Sequence, residues 1–260
     1  MKRLILLILP LISFFAFADK SLSLAEQGYE AYSNRDFSKA AELYEKSIIN
    51  DGSSSYIYYN LGNAYYRLDS LSGAVIAYER ALKLDPTNSD ARWNLEFLRT
   101  KLADAQGDSS SYSTIFIERT MRLMTGNGWA ITSWIFFAIF LTFAGLYILS
   151  QNERVRKVSF FSGLGMLAIT VTSVVITIMV TARQDDTSHA VITVNSSQLS
   201  TSPATPVNNT QQAFVLHEGT KVEVIDSVAT PMDATSNMWY EVKVGSDHRA
   251  WIPKDHVEFI

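Results

Sequence analysis

Apolar positions follow three regimes along the chain. Over residues 19–105 they recur at three- and four-residue intervals, broken only by glycines and by Asp85-Pro86, which predicts an all-helical soluble domain. Two runs, 129–150 and 158–182, each hold more than 20 residues without a charge. At 1.5 Å per residue either is long enough for a hydrocarbon core of about 30 Å, so both are predicted transmembrane helices. From 188 to 260 the period changes to two. There "KVEVIDSV" and "WYEVKVG" alternate, "RAWIP" closes the series and Ala190 to Val194 offers an earlier strand, so a small antiparallel β-barrel is expected.

A further apolar run, Leu4 to Phe17, follows Met1-Lys2-Arg3 and ends in Ala16-Phe17-Ala18, the pattern of a secretory signal peptide over 1–18. The other reading is an uncleaved anchor helix, for which the run is short of the roughly 20 residues a bilayer needs. Either way the following residues are exported. In the loop 151–157, Arg154, Arg156 and Lys157 outnumber Glu153, which places that loop in the cytoplasm. Both arguments give a two-pass protein of the bacterial inner (cytoplasmic) membrane, its soluble domains on the periplasmic or extracytoplasmic side. Arg119, Arg122 and Arg183, near the outer ends, weigh against this charge asymmetry. In the linker 106–128, Ile117, Met121 and Met124 share one helical face and Arg119 and Arg122 another, before a break at Gly126 and Gly128. That suits an interfacial helix, a loop or a continuation of the membrane helix. Residues 183–187 form a second linker. Small residues align within the spans, Ala138, Thr142 and Gly145 on one and Ser162, Gly165 and Ala168 on the other, suiting close helix packing.

The helical domain repeats itself. Phe37, Ala40, Tyr44, Ser47 and Asp51 superpose on Leu71, Ala74, Tyr78, Ala81 and Asp85, always 34 residues on. Tyr58, Leu61, Gly62, Tyr65, Ala74, Tyr78, Ala81 and Pro86 in the unit 55–88 resemble the tetratricopeptide repeat. The unit 21–54 is a looser copy and 89–104 a solvating cap helix. The resemblance implies an inward stripe of Tyr58, Leu61, Gly62 and Tyr65. It also implies a groove stripe of Tyr59, Asn63, Tyr66 and Arg67, joined by Tyr29, Tyr32 and Trp93. Such a face suits an extended peptide or a helix, although these residue types are also ordinary for the repeat.

In the last segment "FVLHEGTKVEVID", "MWYEVKV" and "AWIPKDHVEFI" resemble bacterial SH3-like domains. Ala250, Asp255 and His256 depart from that pattern and argue against binding of proline-rich peptides. Trp239, Tyr240, Trp251 and Pro253 either line a ligand groove or form core.

Composition narrows the chemistry. A formal charge of -4 over 260 residues argues against a nucleic-acid partner, and the absence of cysteine excludes disulfides, thiolate metal sites and a cysteine nucleophile. His189, His217, His248 and His256 show no ligand spacing, so no metal or other cofactor is expected. No catalytic motif occurs, and no ionisable residue lies within the spans to carry a proton or ion. The expected fold class is a multidomain membrane protein: an all-α helical-repeat domain, a transmembrane hairpin and a small all-β SH3-like barrel. This domain order resembles the BatE family of bacterial Bat aerotolerance operons. The resemblance implies a non-enzymatic membrane scaffold working with von Willebrand A-domain proteins and a MoxR-type ATPase in tolerance of oxidative or envelope stress. The alternative is an envelope sensor whose SH3-like domain binds a cell-wall peptide or glycan.

Overall fold

The computed structural model describes residues 22–104, 112–230, 236–245 and 248–260; the signal peptide read at 1–18 lies outside them. The helical domain consists of α1 (Leu24–Ser33), α2 (Phe37–Asp51), α3 (Ser55–Arg67), α4 (Leu71–Leu84) and α5 (Ser89–Arg99). Starts are set by short polar side chains that accept otherwise unpaired backbone N–H groups. Ser23 forms a capping box with Glu26, while Asp36, Ser54 and Asn88 accept from Lys39 N, Ile57 N and Ala91 N. The turns after α1 and α3 are equivalent, since Arg35 and Asp69 both take positive φ, 63° and 61°. The helices then pack as antiparallel pairs, α1 on α2 and α3 on α4, with α5 closing the stack. Close approach depends on two glycines: a Cβ on Gly28 would sit 2.9 Å from the Tyr44 ring, and one on Gly62 would sit 2.6 Å from the Tyr78 ring. The expected cap helix 89–104 is shorter than its sequence suggests, because it ends at Arg99 and the chain turns toward the C-terminal sheet.

A short helix α6 (Tyr112–Met121) precedes the hairpin of α7 (Gly126–Leu149) and α8 (Glu153–Asp185). Of the three readings of that linker, the structure has the separate helix. The glycine break is displaced, however: Thr125 caps α7 by accepting from Gly128 N, so both glycines lie in the first turn. Both hairpin helices are long and apolar enough to cross a membrane, and few of their side chains are buried. The loop 151–157 contracts to the chain between Leu149 and Glu153, and Arg154, Arg156 and Lys157 belong to the first turns of α8, capped by Asn152. Likewise Arg183 lies inside α8, not in a linker.

The small-residue stripes need correction. A Cβ on Gly145 or Gly165 would meet nothing within 4 Å, and Ala138 and Thr142 are exposed. Contact runs instead through Ser133, Ser159, Gly163, Thr170, Ser173 and Val180, with Ser133 Oγ donating to Ser173 Oγ at 2.9 Å. Helices that are apolar all round carry no pattern from which the facing side can be read.

The C-terminal segment forms β1 (His189–Ile192), β2 (Ser196–Ser200), β3 (Gln212–His217), β4 (Lys221–Ala229), β5 (Met238–Val244), β6 (His248–Pro253) and β7 (Val257–Phe259). They build one antiparallel sheet in the order β3-β2-β6-β5-β4-β1-β7. The ladder does not return from β7 to β3, so this is an open sheet and not the expected closed barrel. A bulge between Val224 and Asp226 bends β4. Ala190, Ile192, Leu199, Leu216, Val222, Val242, Ala250 and Ile252 fill its core.

The helical domain and the C-terminal sheet pack against each other. Val191 leaves the sheet core and joins the helical cluster around Ala74, Tyr78 and Leu98, which explains why β1 is apolar on both faces. Around it lie polar ties. Arg80 of α4 pairs with Glu258 at 2.9 Å and donates to the Phe259 carbonyl, while Lys83 donates to the carbonyls of Asp186 and Ile260. Glu79 receives both Arg99 (2.6 Å) and Lys221 (2.9 Å). Burial opposes ionisation of Glu79, but those two cations outweigh it and hold the carboxyl below the usual carboxylate range. Beyond α5, Asp104 accepts from His217 N (2.7 Å) and Thr220 Oγ1 (2.7 Å) and meets His217 Nδ1 at 2.9 Å.

Candidate functional site

Because the sheet occupies the α4 side, the face made by α1, α3 and α5 stays open. The anticipated groove residues divide by environment along this face. At the α1 end Tyr29 is 58% exposed, whereas Tyr32 is half-buried, its ring edge-on to Phe37 with centroids 5.2 Å apart. Arg67 does not reach into the groove; its guanidinium lies over the Phe37 ring at 4.4 Å. In the middle Tyr59 packs 6.3 Å from Tyr78. Asn63 accepts from Tyr78 Oη (2.8 Å) and Asn94 Nδ2 (2.9 Å), so its carbonyl is saturated and its amide N–H2 is left for a ligand.

The α5 end is the most exposed. Trp93 and Phe97 stack with centroids 5.7 Å apart and planes only 2° from parallel, yet they remain 65% and 41% exposed. Tyr66 meets Phe97 edge-on at 6.3 Å, and Lys101 Nζ donates to Tyr66 Oη at 2.6 Å while lying 4.6 Å above Phe97. Phe97 and Lys101 were not among the residues read as groove-lining. The signal for Phe97 was its place four residues after Trp93, which puts both on one helical face. Lys101 follows the helix, so periodicity carried no information about it. A stacked aromatic pair beside an ammonium offers large apolar contact area together with a site for a carboxylate or a carbonyl.

The inward stripe also divides. Leu61 and Gly62 are buried; Tyr58 and Tyr65 are half-buried, with Tyr65 donating to Glu45 of α2.

On the sheet the four aromatic and proline residues do not make one groove. Trp239 pairs with Pro253 and Glu241 with Trp251 across β5 and β6, so Trp239, Trp251 and Pro253 share one face; Tyr240 pairs with Ile252 on the other. Tyr240 packs edge-on against Phe259 (5.3 Å) in the core, Pro253 is buried, and Trp239 is 1% exposed. Only Trp251 retains partial exposure on the face first read as ligand-lining. Among the described residues no group of three or more acidic or histidine side chains is placed to hold a metal ion.

The geometry defines a helical-repeat interaction module carried on a candidate membrane hairpin. A family model described as tetratricopeptide repeat matches residues 26–89, the segment containing α2, α3 and α4. That match points to protein–protein interaction, and it gives no indication of catalysis. No curated protein matches the chain.

Proposed function

We propose that the protein is a non-enzymatic scaffold of the inner membrane, anchored by the α7–α8 hairpin, whose α1/α3/α5 face holds an extended or helical segment of a protein partner. The observation that carries this reading is the exposed Trp93–Phe97 stack beside Tyr66 and Lys101, on the side opposite the docked sheet. The same docking supports an arrangement with the helical domain and the sheet on one side of the membrane, since two spans return the chain to its starting side; the charges of Arg154, Arg156 and Lys157 favour the side outside the cytoplasm. The resemblance in domain order adds the finer assignment: von Willebrand A-domain proteins of the same membrane, and a MoxR-type ATPase system, acting in oxidative or envelope stress.

The test is a photo-crosslinking residue at Tyr66 or Tyr59 of the full chain in its native membranes. Capture of a membrane protein carrying a von Willebrand A domain, lost on Trp93→Ala, is expected. Capture of no protein, together with muropeptide binding that survives Trp93→Ala and is lost on Trp251→Ala, would replace the scaffold by the sensor. The sensor reading has less support, since Trp239, Tyr240 and Pro253 are taken up by packing.

A further inference from the structure

A cavity of about 650 Å³ lies where the helical repeat, the sheet and one end of the hairpin meet. Six basic side chains line it, Lys83, Arg92, Arg99, Arg122, Arg183 and Lys221, against four carboxylates, Glu79, Glu96, Glu118 and Asp186. Several of these are already committed. Glu79 holds Arg99 and Lys221, Glu118 pairs with Arg122 at 2.8 Å, Asp186 meets His189 at 3.2 Å, and Lys83 serves two backbone carbonyls. Arg92 donates to the Pro86 carbonyl, and neither it nor Arg183 has a carboxylate within ion-pair distance among the described residues. Burial and then the like charges of Arg122 and Arg183 lower the Arg92 guanidinium from its ordinary range, against the partial help of Glu96 and Asp85. Two guanidiniums, Arg92 and Arg183, thus share this space without a carboxylate partner, beside Arg122, which Glu118 holds.

Their height relative to the apolar spans selects the ligand. A Cβ on Gly126 would lie 3.6 Å from Val180 Cγ1, so these positions are level in the hairpin. Arg183 comes one turn after Val180, and Arg122, in the connection between α6 and α7, lines the same cavity, so both stand just beyond the apolar stretch, at the depth of lipid headgroups. One and two turns below Arg183 on the same side of α8, exposed Met179 and Val175 offer an apolar surface for acyl chains.

We propose that this cavity binds the phosphate of an anionic phospholipid, with Arg92, Arg122 and Arg183 around the phosphate and the acyl chains descending along the hairpin. The site would accept a phosphate-bearing anion generally; the adjoining apolar wall favours one that carries chains. It rests on the reading that α7 and α8 cross a bilayer.

The experiment uses the full-length protein, delipidated in a non-ionic detergent and followed by native mass spectrometry and thermal unfolding. Added phosphatidylglycerol should be retained and raise the unfolding temperature, whereas phosphatidylcholine should do neither. Arg183→Gln, at an exposed position, should weaken phosphatidylglycerol retention about tenfold, as for one lost charge-assisted contact, and Arg92→Gln with Arg183→Gln should abolish it. Arg154→Gln with Arg156→Gln, at the opposite end, should leave it unchanged. Retention indifferent to Arg92 and Arg183, or equally lost in the opposite-end variant, overturns the proposal. Inorganic phosphate that protects as well as phosphatidylglycerol, with the same arginine dependence, overturns the lipid assignment in favour of a soluble phosphate compound. Carbonate extraction separates the two levels. Release of the protein from membranes overturns the hairpin and the lipid site together, whereas a protein that stays membrane-bound but ignores the arginines overturns the lipid site alone.

Discussion

Tyr44 and Tyr78 occupy equivalent positions in the two repeats, and burial raises the phenol pKa of each. Their hydroxyls nevertheless differ. Tyr78 donates to Asn63, but the residue equivalent to Asn63 in the first unit is Tyr29, and the buried Tyr44 hydroxyl has no partner among the described residues. Removing an unsatisfied hydroxyl costs little, whereas removing the Tyr78 hydroxyl forfeits its bond to Asn63, whose carbonyl keeps only Asn94. Tyr44→Phe should therefore leave thermal stability unchanged or slightly higher, and Tyr78→Phe should lower it by about 1–2 kcal/mol, read from denaturant unfolding of the helical signal. The glycine facing Tyr78 makes a second test. Ala at position 62 would gain about 1 kcal/mol of helix propensity, but its Cβ would press on a ring held by Asn63 and Asn94, and overpacking costs about 1–3 kcal/mol. Gly62→Ala should thus destabilise the helical domain. Gly145→Ala, at a position with nothing within 4 Å, should not alter unfolding of that domain.

Between elements, the open face of α1, α3 and α5 is separable from the packing that forms it. Trp93 is exposed and stacks on Phe97, itself exposed, so Trp93→Ala should reduce partner capture at least tenfold, as at an aromatic hot spot, with less than about 0.5 kcal/mol change in stability. Equal loss of capture and of fold would remove this distinction. The face was legible in the sequence because a 3.6-residue period and a recurring glycine–tyrosine contact fix which side of each helix turns inward. The sheet was less so. Strand β2 (SSQLS) has no apolar alternation, because two of its buried positions are serines, Ser197 meeting His256 Nδ1 at 2.8 Å and Ser200 donating to the Gln211 carbonyl. Tyr240 stands beside Trp239 in sequence, yet a two-residue period sends adjacent side chains to opposite faces. Docking of the sheet on α4 was not legible at all, since Glu79, Arg80 and Lys83 read as an ordinary solvated face until Lys221, Glu258 and two backbone carbonyls are placed opposite them.

Docking gives the whole molecule both an acid response and a topological constraint. Burial disfavours the Asp104 carboxylate, but the bonds from His217 and Thr220 prevail and keep its pKa below the usual value, as the cations do for Glu79. A carboxyl with a lowered folded-state pKa contributes stability above its unfolded pKa of about 4 and loses it as pH falls through the folded value. Energy transfer between labels at Lys46→Cys and Lys254→Cys should therefore stay constant from neutral pH to about 5 and change below about 4; a constant signal down to pH 3 would show that these carboxylates do not hold the domains together. The constraint concerns the membrane. Three basic residues stand at each end of the hairpin, Arg154, Arg156 and Lys157 at one and Arg119, Arg122 and Arg183 at the other, so charge count alone is balanced. The first three, however, sit in the initial turns of α8, where cations oppose the helix dipole, whereas Arg122 and Arg183 of the second group border a cavity that a phosphate could neutralise. On the proposed lipid site the neutralised arginines would retain less weight in orientation, and the proposed topology puts Arg154, Arg156 and Lys157 on the cytoplasmic side. The chain lacks cysteine, so single substitutions can be labelled without background. With a membrane-impermeant maleimide on spheroplasts, Ser38→Cys and Asp255→Cys should label at once and Gln151→Cys only after lysis. The reverse pattern would invert the orientation, and labelling of Ser38→Cys and Asp255→Cys on opposite sides would be incompatible with a two-span hairpin.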